Sequence, residues 1–187
     1  MTTTDTTTTH ATSNAVTAAG PAPADGRDFR RTAGRFPTGV TVVTTVGADG
    51  RPHGTTVNSF TTVSMDPFMV LVSLARGSRL HDQALDAWSF AVTVLAEEQQ
   101  ADALWFADRS RPTGDAAFTG RAHRPAPHSG APLLLGGVAW FDCAVAEAHP
   151  AGDHTLLLGR VHSFGVLSDR PALTFADSRF TPSGALS

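Results

Sequence analysis

The chain has 187 residues, the length of one ordinary domain, and a formal net charge of −3 in which all 14 basic side chains are arginine. These arginines are scattered, which excludes a basic stripe for nucleic acid and a polybasic membrane patch. No apolar run approaches the roughly 20 residues of a membrane helix, and the start MTTTDTTTTH lacks the charged and apolar segments of a secretory signal, so a cytoplasmic location is expected.

Residues 1–27 are rich in Thr, Ala and Pro, with too few large apolar side chains to offset the entropy of ordering. They are expected to form a disordered tail before a domain spanning 28–180, with 181–187 as a short C-terminal tail. Asp28 is placed as the N-cap of a short helix ending near Gly34, with Pro37 beyond as a stop signal. Period-two patterns then predict strands over Val40 to Val46, Gly54 to Phe60, Met69 to Leu74, Ser89 to Leu95, Val138 to Ala146 and Thr155 to Phe164. Gly47-Ala48-Asp49-Gly50 reads as a hairpin link between the first two, and Pro150-Ala151-Gly152-Asp153 as one between the last two. Helices fit Ser78 to Ala87, with Leu80, Ala84 and Leu85 on one side, and Ala96 to Ala107, with Ala101, Leu104 and Trp105. The stretch from Asp108 to Pro132 is rich in Pro, Gly and Arg and reads as an irregular surface excursion. Many strands with few short helices point to a barrel rather than a parallel α/β sheet. No strand is followed by a G-x-G-x-x-G turn, so a nicotinamide cofactor would have to be held without a Rossmann domain.

The densest chemistry lies in HGTTVNSFTTVSMD, from His53 to Asp66, where Thr55, Thr56, Asn58, Ser59, Thr61, Thr62 and Ser64 crowd one segment. Threonine suits strands, so a half-exposed edge explains such a segment equally well. Shortly after it, Ser73-Leu74-Ala75-Arg76-Gly77-Ser78-Arg79 leads into a helix. Hydroxyls and amides on a strand, then backbone donors and arginines at a helix start, suit a ligand that is planar and polar at one end and phosphorylated at the other. Ser78 is the expected N-cap and Arg79 the first helical residue; a plain cap with solvated arginines is the alternative. Cys143 is the only cysteine, so the chain can form no internal disulfide, and its place in the apolar FDCAV strand marks a buried structural thiol. His81, His123, His128, His149 and His162 show no metal-ligand spacing, and no metal is expected. The chain also lacks a nucleophile elbow and any carboxylate pair in a motif.

In order and spacing, FPTGV (Phe36 to Val40), TTVNSFTTVS (Thr55 to Ser64), SLARGS (Ser73 to Ser78), FAVTVL (Phe90 to Leu95), WFA (Trp105 to Ala107) and FDCAV with GDHTLLLGRV (Phe141 to Val161) resemble the flavin reductases that serve as the small component of two-component flavin-dependent monooxygenases. The resemblance runs from about Phe29 to Arg179. It implies a mainly β, FMN-binding type split barrel, homodimeric, with flavin at the dimer interface and the nicotinamide stacked on it from an open cleft. It also implies an NAD(P)H-dependent reduction of FMN or FAD, NADH being favoured, with reduced flavin passed to a partner monooxygenase. The absence of lysine does not exclude NADPH, since arginine can hold its extra phosphate.

On this resemblance Pro37, Thr38, Gly39 and Val40 line the flavin, Asn58 and Ser59 meet the ring, and Ser64 enters the same region. Ser73, Leu74 and Ala75 run along the ribityl chain, Ser78 and Arg79 hold the phosphate, and Phe106 packs against the flavin. Gly152, Asp153 and His154 face the nicotinamide side, with His154 positioning it. Arg160 is open between a phosphate contact and barrel support. At Arg179-Phe180 relatives carry a larger aromatic segment, often tyrosine, which this tyrosine-free chain lacks. Two other readings stand beside the reductase: a non-catalytic flavin carrier of the same fold, and a split-barrel oxidase of a phosphorylated vitamin, which would use several lysines in its phosphate pocket.

Overall fold

The structure, a computed structural model, describes residues 25–182. It begins with helix α1, Gly26–Ala33, whose N-cap is Asp25 rather than Asp28. The Asp25 carboxylate accepts from the amides of Arg27 and Asp28 at 2.7 and 3.1 Å, satisfying free donors of the first turn. Asp28 instead lies within that turn and pairs with Arg31 at 3.3 Å. The expected tail therefore falls outside the described residues up to position 24, while Asp25, Gly26 and Arg27 belong to the helix and its cap. Of the expected C-terminal tail, residues 183–187 also fall outside.

The strands are β1 Thr38–Gly39, β2 Thr41–Val46, β3 Pro52–Val57, β4 Thr61–Met65 and β5 Phe68–Ala75; helix α2, Arg79–Ala87, leads to β6 Ser89–Val94. A 3-10 turn Glu97–Gln99 precedes α3, Gln100–Ala107, so the helix expected from Ala96 is two pieces. Then come β7 His123–Pro125, β8 Pro132–Leu134, β9 Ala139–Ala151, β10 His154–Val166, β11 Leu173–Ala176 and β12 Arg179–Pro182. All pairings are antiparallel. One sheet of seven runs β3-β2-β6-β9-β10-β5-β4, one of three runs β1-β11-β12, and β7 and β8 form a hairpin.

The edges of the seven-stranded sheet, β3 and β4, are consecutive in the chain, joined only by Asn58, Ser59 and Phe60. Four residue steps span at most about 14 Å, so the sheet must curl until its two edges lie side by side without pairing. That is a split barrel, and the fold expected from the sequence is the one observed. The expected strand ending at Phe60 stops at Val57 because the Ser59 hydroxyl donates to the Ser73 carbonyl at 3.0 Å and accepts from the Ser73 amide at 2.9 Å, turning the chain.

The barrel interior is filled by Val43, Val57, Val70, Val72, Phe90, Val92, Val145 and Leu157, with α2 adding Leu80 and Ala84. Cys143 belongs here as expected; burial, and then Asp142 beside it, push its thiol up to about 12. Gly159 on β10 faces Phe90, whose ring would sit 2.5 Å from any added Cβ. Outside the sheet a second core joins Val40, Val42, Leu95, Phe106, Phe118 and Leu134. β2 is buried on both faces for that reason, and its threonines are satisfied inside. Thr41 donates to the Val57 carbonyl at 2.7 Å, Thr44 to Pro132 at 2.8 Å and Thr45 to Ser89 at 2.9 Å.

Residues 108–132 are more ordered than a surface excursion. They contain a 3-10 turn, Gly114–Phe118, and strand β7, and they bury Ala117 and Phe118 in the second core. Trp105 ties α3 to this segment by donating to the Ala117 carbonyl at 2.8 Å. No helix of the described residues is long and apolar enough to cross a membrane.

Candidate active site

An open cleft of about 630 Å³ lies between β3, the end of β5, the start of α2 and the segment after α3. Asn58 and Ser59 stand at the turn that leaves β3, and Ser73, Leu74 and Ala75 form the opposite wall. The Ser59–Ser73 hydrogen bonds fix these walls against each other. Thr56 is held by its bond to the Ala103 carbonyl at 2.6 Å.

Beyond Ala75 the chain turns through Arg76 and Gly77 into α2. Ser78 caps that helix, accepting from the His81 amide at 3.3 Å, so the amides of Arg79 and Leu80 have no capping partner and face the cleft end. His81 itself is buried and structural: one ring nitrogen meets Thr155 Oγ1 at 2.9 Å and the other Asp82 at 2.7 Å. Arg76 donates its amide to the Asp153 carbonyl at 3.0 Å, which ties the entrance of α2 to the turn carrying His154. His154 lines the cleft, and its Nδ1 lies 2.8 Å from the Asp153 carboxylate, which this hydrogen bond holds below the usual carboxylate range.

Phe106 also lines the cleft, although it is fully buried in the second core. Gly54 makes this fit, since a Cβ there would approach the Phe106 ring to 3.2 Å. Three residues that sequence reasoning passed over complete the wall: His53, Arg109 and Arg111. Arg111 is buried, donates to the Asp108 carbonyl at 2.6 Å and to the Gly54 carbonyl, and lies 5.7 Å from the Phe106 ring centroid. Burial, then Arg79, lower its pKa, against the opposing pull of the Asp108 carboxylate. His53 faces it, and burial together with the charges of Arg111 and Arg79 lowers the imidazole to about 4. The available signal was Arg109-Ser110-Arg111-Pro112, two arginines close together in a lysine-free chain.

The other sequence-derived candidates lie elsewhere. Thr38 and Gly39 form β1 against Phe175 and Thr174, Val40 is 1% exposed in the second core, and Pro37 precedes them; none lines the cleft. Ser64 is on edge strand β4, accepting from the Asp66 amide at 3.2 Å. Gly152 and Asp153 form the turn before His154 without lining the cleft. Arg160 is exposed on β10, and Arg179-Phe180 begin β12, with Phe180 against Phe175.

Among the described residues, the cleft's lining includes Arg76, Arg79, Arg109 and Arg111 but no Asp or Glu. A polar turn at one end and unpaired helix amides with guanidinium groups at the other fit a polar ring carrying a phosphate. Residues 33–184 match the flavin reductase like domain. The chain belongs to that family.

Among its relatives is the NADH-dependent FAD reductase of Streptomyces globisporus, 40% identical over 158 residues that cover 84% of this chain and 86% of the relative. The reductase component of the flavin-dependent trigonelline monooxygenase of Acinetobacter baylyi is 44% identical over 138 residues, 74% of this chain but 43% of that longer protein. In three dimensions the family likeness extends to BorF, the flavin reductase component of a bacterial two-component tryptophan halogenase, with a TM-score of 0.80 and 40% identity over 84% of this chain and 98% of that one. The NADH:FAD oxidoreductase SgcE6 of Streptomyces globisporus, solved in complex with NAD and FAD fragments, gives a TM-score of 0.78 at 38% identity over 84% of this chain and 92% of that one.

Proposed function

We propose that this protein is an NAD(P)H-dependent flavin reductase, with NADH favoured, that reduces FMN or FAD and supplies the reduced flavin to a partner monooxygenase. The observation that carries this reading is the acid-free, arginine-lined cleft with its polar turn, in a chain 40% identical to an NADH-dependent FAD reductase. The chemistry the bound cofactors supply is hydride transfer between two stacked rings, which asks the protein for orientation and asks for no acid, base or nucleophile. Asn58 and Ser59 offer an amide and a hydroxyl to the ring's polar edge. The strand Ser73 to Ala75 would hold the ribityl chain, and the start of α2, capped by Ser78, would offer the amides of Arg79 and Leu80 and the Arg79 cation to the phosphate. Phe106 gives the cleft an apolar wall. His154, steadied by Asp153, orients the nicotinamide from the open side. Pro37, Thr38, Gly39, Val40 and Ser64, which lie outside this cleft, enter the reading only through the family resemblance, while Gly152 and Asp153 form the turn that carries His154.

The working form is a homodimer. Met65, Phe68, Phe164 and Val166 leave an apolar surface exposed, with Phe68 and Phe164 edge-to-face at 5.6 Å between ring centroids. The catalytic unit is the 28–180 domain extended at its front by the Asp25 cap.

The deciding experiment is NADH consumption by the purified protein alone, with FMN and with FAD, beside a visible spectrum of the protein as isolated. Strong stimulation by added flavin on a nearly colourless protein establishes a reductase using diffusible flavin. Flavin binding with NADH and NADPH both untouched refutes it in favour of a carrier.

A further inference from the structure

We propose that Ser59 is a positioning residue: its hydroxyl stands in for a missing backbone pair at Ser73 and so releases the amides of Asn58 and Ser59 toward the ring of the bound nucleotide. The proposal rests on the flavin-reductase reading and adds how this chain builds the turn that recognises the ring.

The register of β4 on β5 shows which pair is missing. Thr61 lies opposite Leu71, and the next step of an antiparallel ladder would set Ser59 opposite Ser73. The ladder stops before that step, since β4 begins at Thr61. In its place Ser59 Oγ donates to the Ser73 carbonyl at 3.0 Å and accepts from the Ser73 amide at 2.9 Å. One hydroxyl therefore satisfies both backbone groups of Ser73, which would otherwise face the end of a strand without partners. Because a side chain reaches where a backbone would have been, the main chain of Ser59 stands off from β5 by the length of that side chain.

Standing off leaves donors free. Among the described residues, the amides of Asn58 and Ser59 make no backbone hydrogen bond, and both residues line the cleft. The turn is nevertheless held on its other side, where Phe60 packs on the barrel core with its ring centroid 5.1 Å from that of Phe141. Ser59 and Phe60 are thus committed to the fold, and Asn58 is the exposed residue of the three. A hydroxyl has one proton and two lone pairs. Ser59 has spent the proton and one lone pair on Ser73, so it cannot donate to a ligand. The polar edge of an oxidised flavin ring consists mainly of acceptors, and toward these the turn offers its two amides and the Asn58 side chain. The serine's part is to hold them in place.

Full-length protein is titrated with FMN and with FAD by calorimetry and by the visible spectrum of the bound flavin, and KM for NADH is measured at saturating flavin. The proteins are the wild type, Ser59→Ala, Ser59→Thr, Asn58→Ala and the double variant Asn58→Ala with Ser59→Ala. Ser59→Ala should weaken both flavins about tenfold, the value of one well-made hydrogen bond, and shift the visible bands, with little change in KM for NADH. Ser59→Thr, which keeps the hydroxyl, should restore most of the affinity. Because both residues act through one turn, Ser59→Ala should cost much less in the Asn58→Ala background than in the wild type. Should Ser59→Ala fail to fold, Ser59→Cys, which keeps the shape but donates weakly, is expected to weaken flavin several-fold. A Ser59→Ala protein, or a Ser59→Cys protein in its place, that is less stable to urea yet keeps the wild-type flavin affinity and spectrum overturns the proposal, because the serine is then only structural. Full additivity in the double variant overturns it as well, since Ser59 would then contact the ring independently, and so does a failure of Ser59→Thr to recover. A wild type that binds neither flavin removes the reductase reading itself and this role with it.

Discussion

His53 makes the stability of the protein depend on pH in a way that can be calculated. In the fold its imidazole is held neutral down to about 4, first by burial and then by the charges of Arg111 and Arg79, whereas the unfolded chain takes up the proton near 6.5. Between those values the unfolded state binds more protons than the native state, so stability falls as the pH is lowered through that window. Above about 6.5 both states are neutral and nothing is lost; below about 4 both are charged and the loss is complete. At about 1.4 kcal/mol per pH unit, the loss is roughly 2 kcal/mol by pH 5 and roughly 3 kcal/mol at its full extent.

The assay is urea unfolding at pH 8, 6.5, 5.5 and 5, in the wild type and His53→Gln. The glutamine cannot titrate, so its stability should be flatter over this range by about 2 kcal/mol, whatever its absolute value. Carboxylates elsewhere contribute equally to both proteins and cancel in the comparison. Parallel curves for the two proteins would refute the argument, because they would mean that His53 takes up its proton as readily in the fold as in the open chain.

Three further outcomes are expected from the same structure. Gly159→Ala drives a methyl to within 2.5 Å of the Phe90 ring and 3.0 Å of Cys143 Cβ, and should cost about 1–3 kcal/mol in urea unfolding with the fold retained. His154→Ala should raise the KM for NADH several-fold while flavin affinity changes little, read from steady-state kinetics beside flavin titration; equal losses in both would remove the histidine from the nicotinamide side. The Cys143 thiol, buried and pushed up to about 12, should react with a thiol reagent only after denaturation, and rapid labelling of the native protein would contradict its place in the barrel interior.

How much of the fold is legible in the sequence depends on the reach of its interactions. β5 is readable because Val70, Val72 and Leu74 point into the barrel while their neighbours do not, and period two survives wherever only one face is core. The hairpin joining β9 and β10 is readable from Gly152-Asp153, but β9 runs further than its pattern, through Glu147 to Ala151, where mostly exposed side chains give little alternation and backbone pairing continues the ladder. The bend after Val57 is invisible locally, since Ser59 finds its partners 14 residues away on Ser73. The Asn58, Ser59, Ser73 and Ser78 part of the cleft was accessible from residue chemistry joined to the family resemblance. The His53–Arg111 part was not, because it depends on a contact across 58 residues and on a segment whose composition conceals its buried Ala117 and Phe118.

The distribution of charge connects the fold to its work. The chain carries 17 acidic residues against 14 arginines, yet among the described residues the cleft draws four arginines and no acid. The remaining surface is therefore more acidic than the net charge of −3 suggests, and the positive potential is concentrated in one concave place. Flavin nucleotides and nicotinamide dinucleotides both bear phosphate, so a field of this shape draws either toward the cleft and keeps it from settling elsewhere. A neutral His53 matters to that field: a third positive charge against Arg79 and Arg111 would add repulsion the fold must bear whenever the cleft is empty. Keeping the imidazole uncharged avoids that repulsion while the arginines keep the cleft positive.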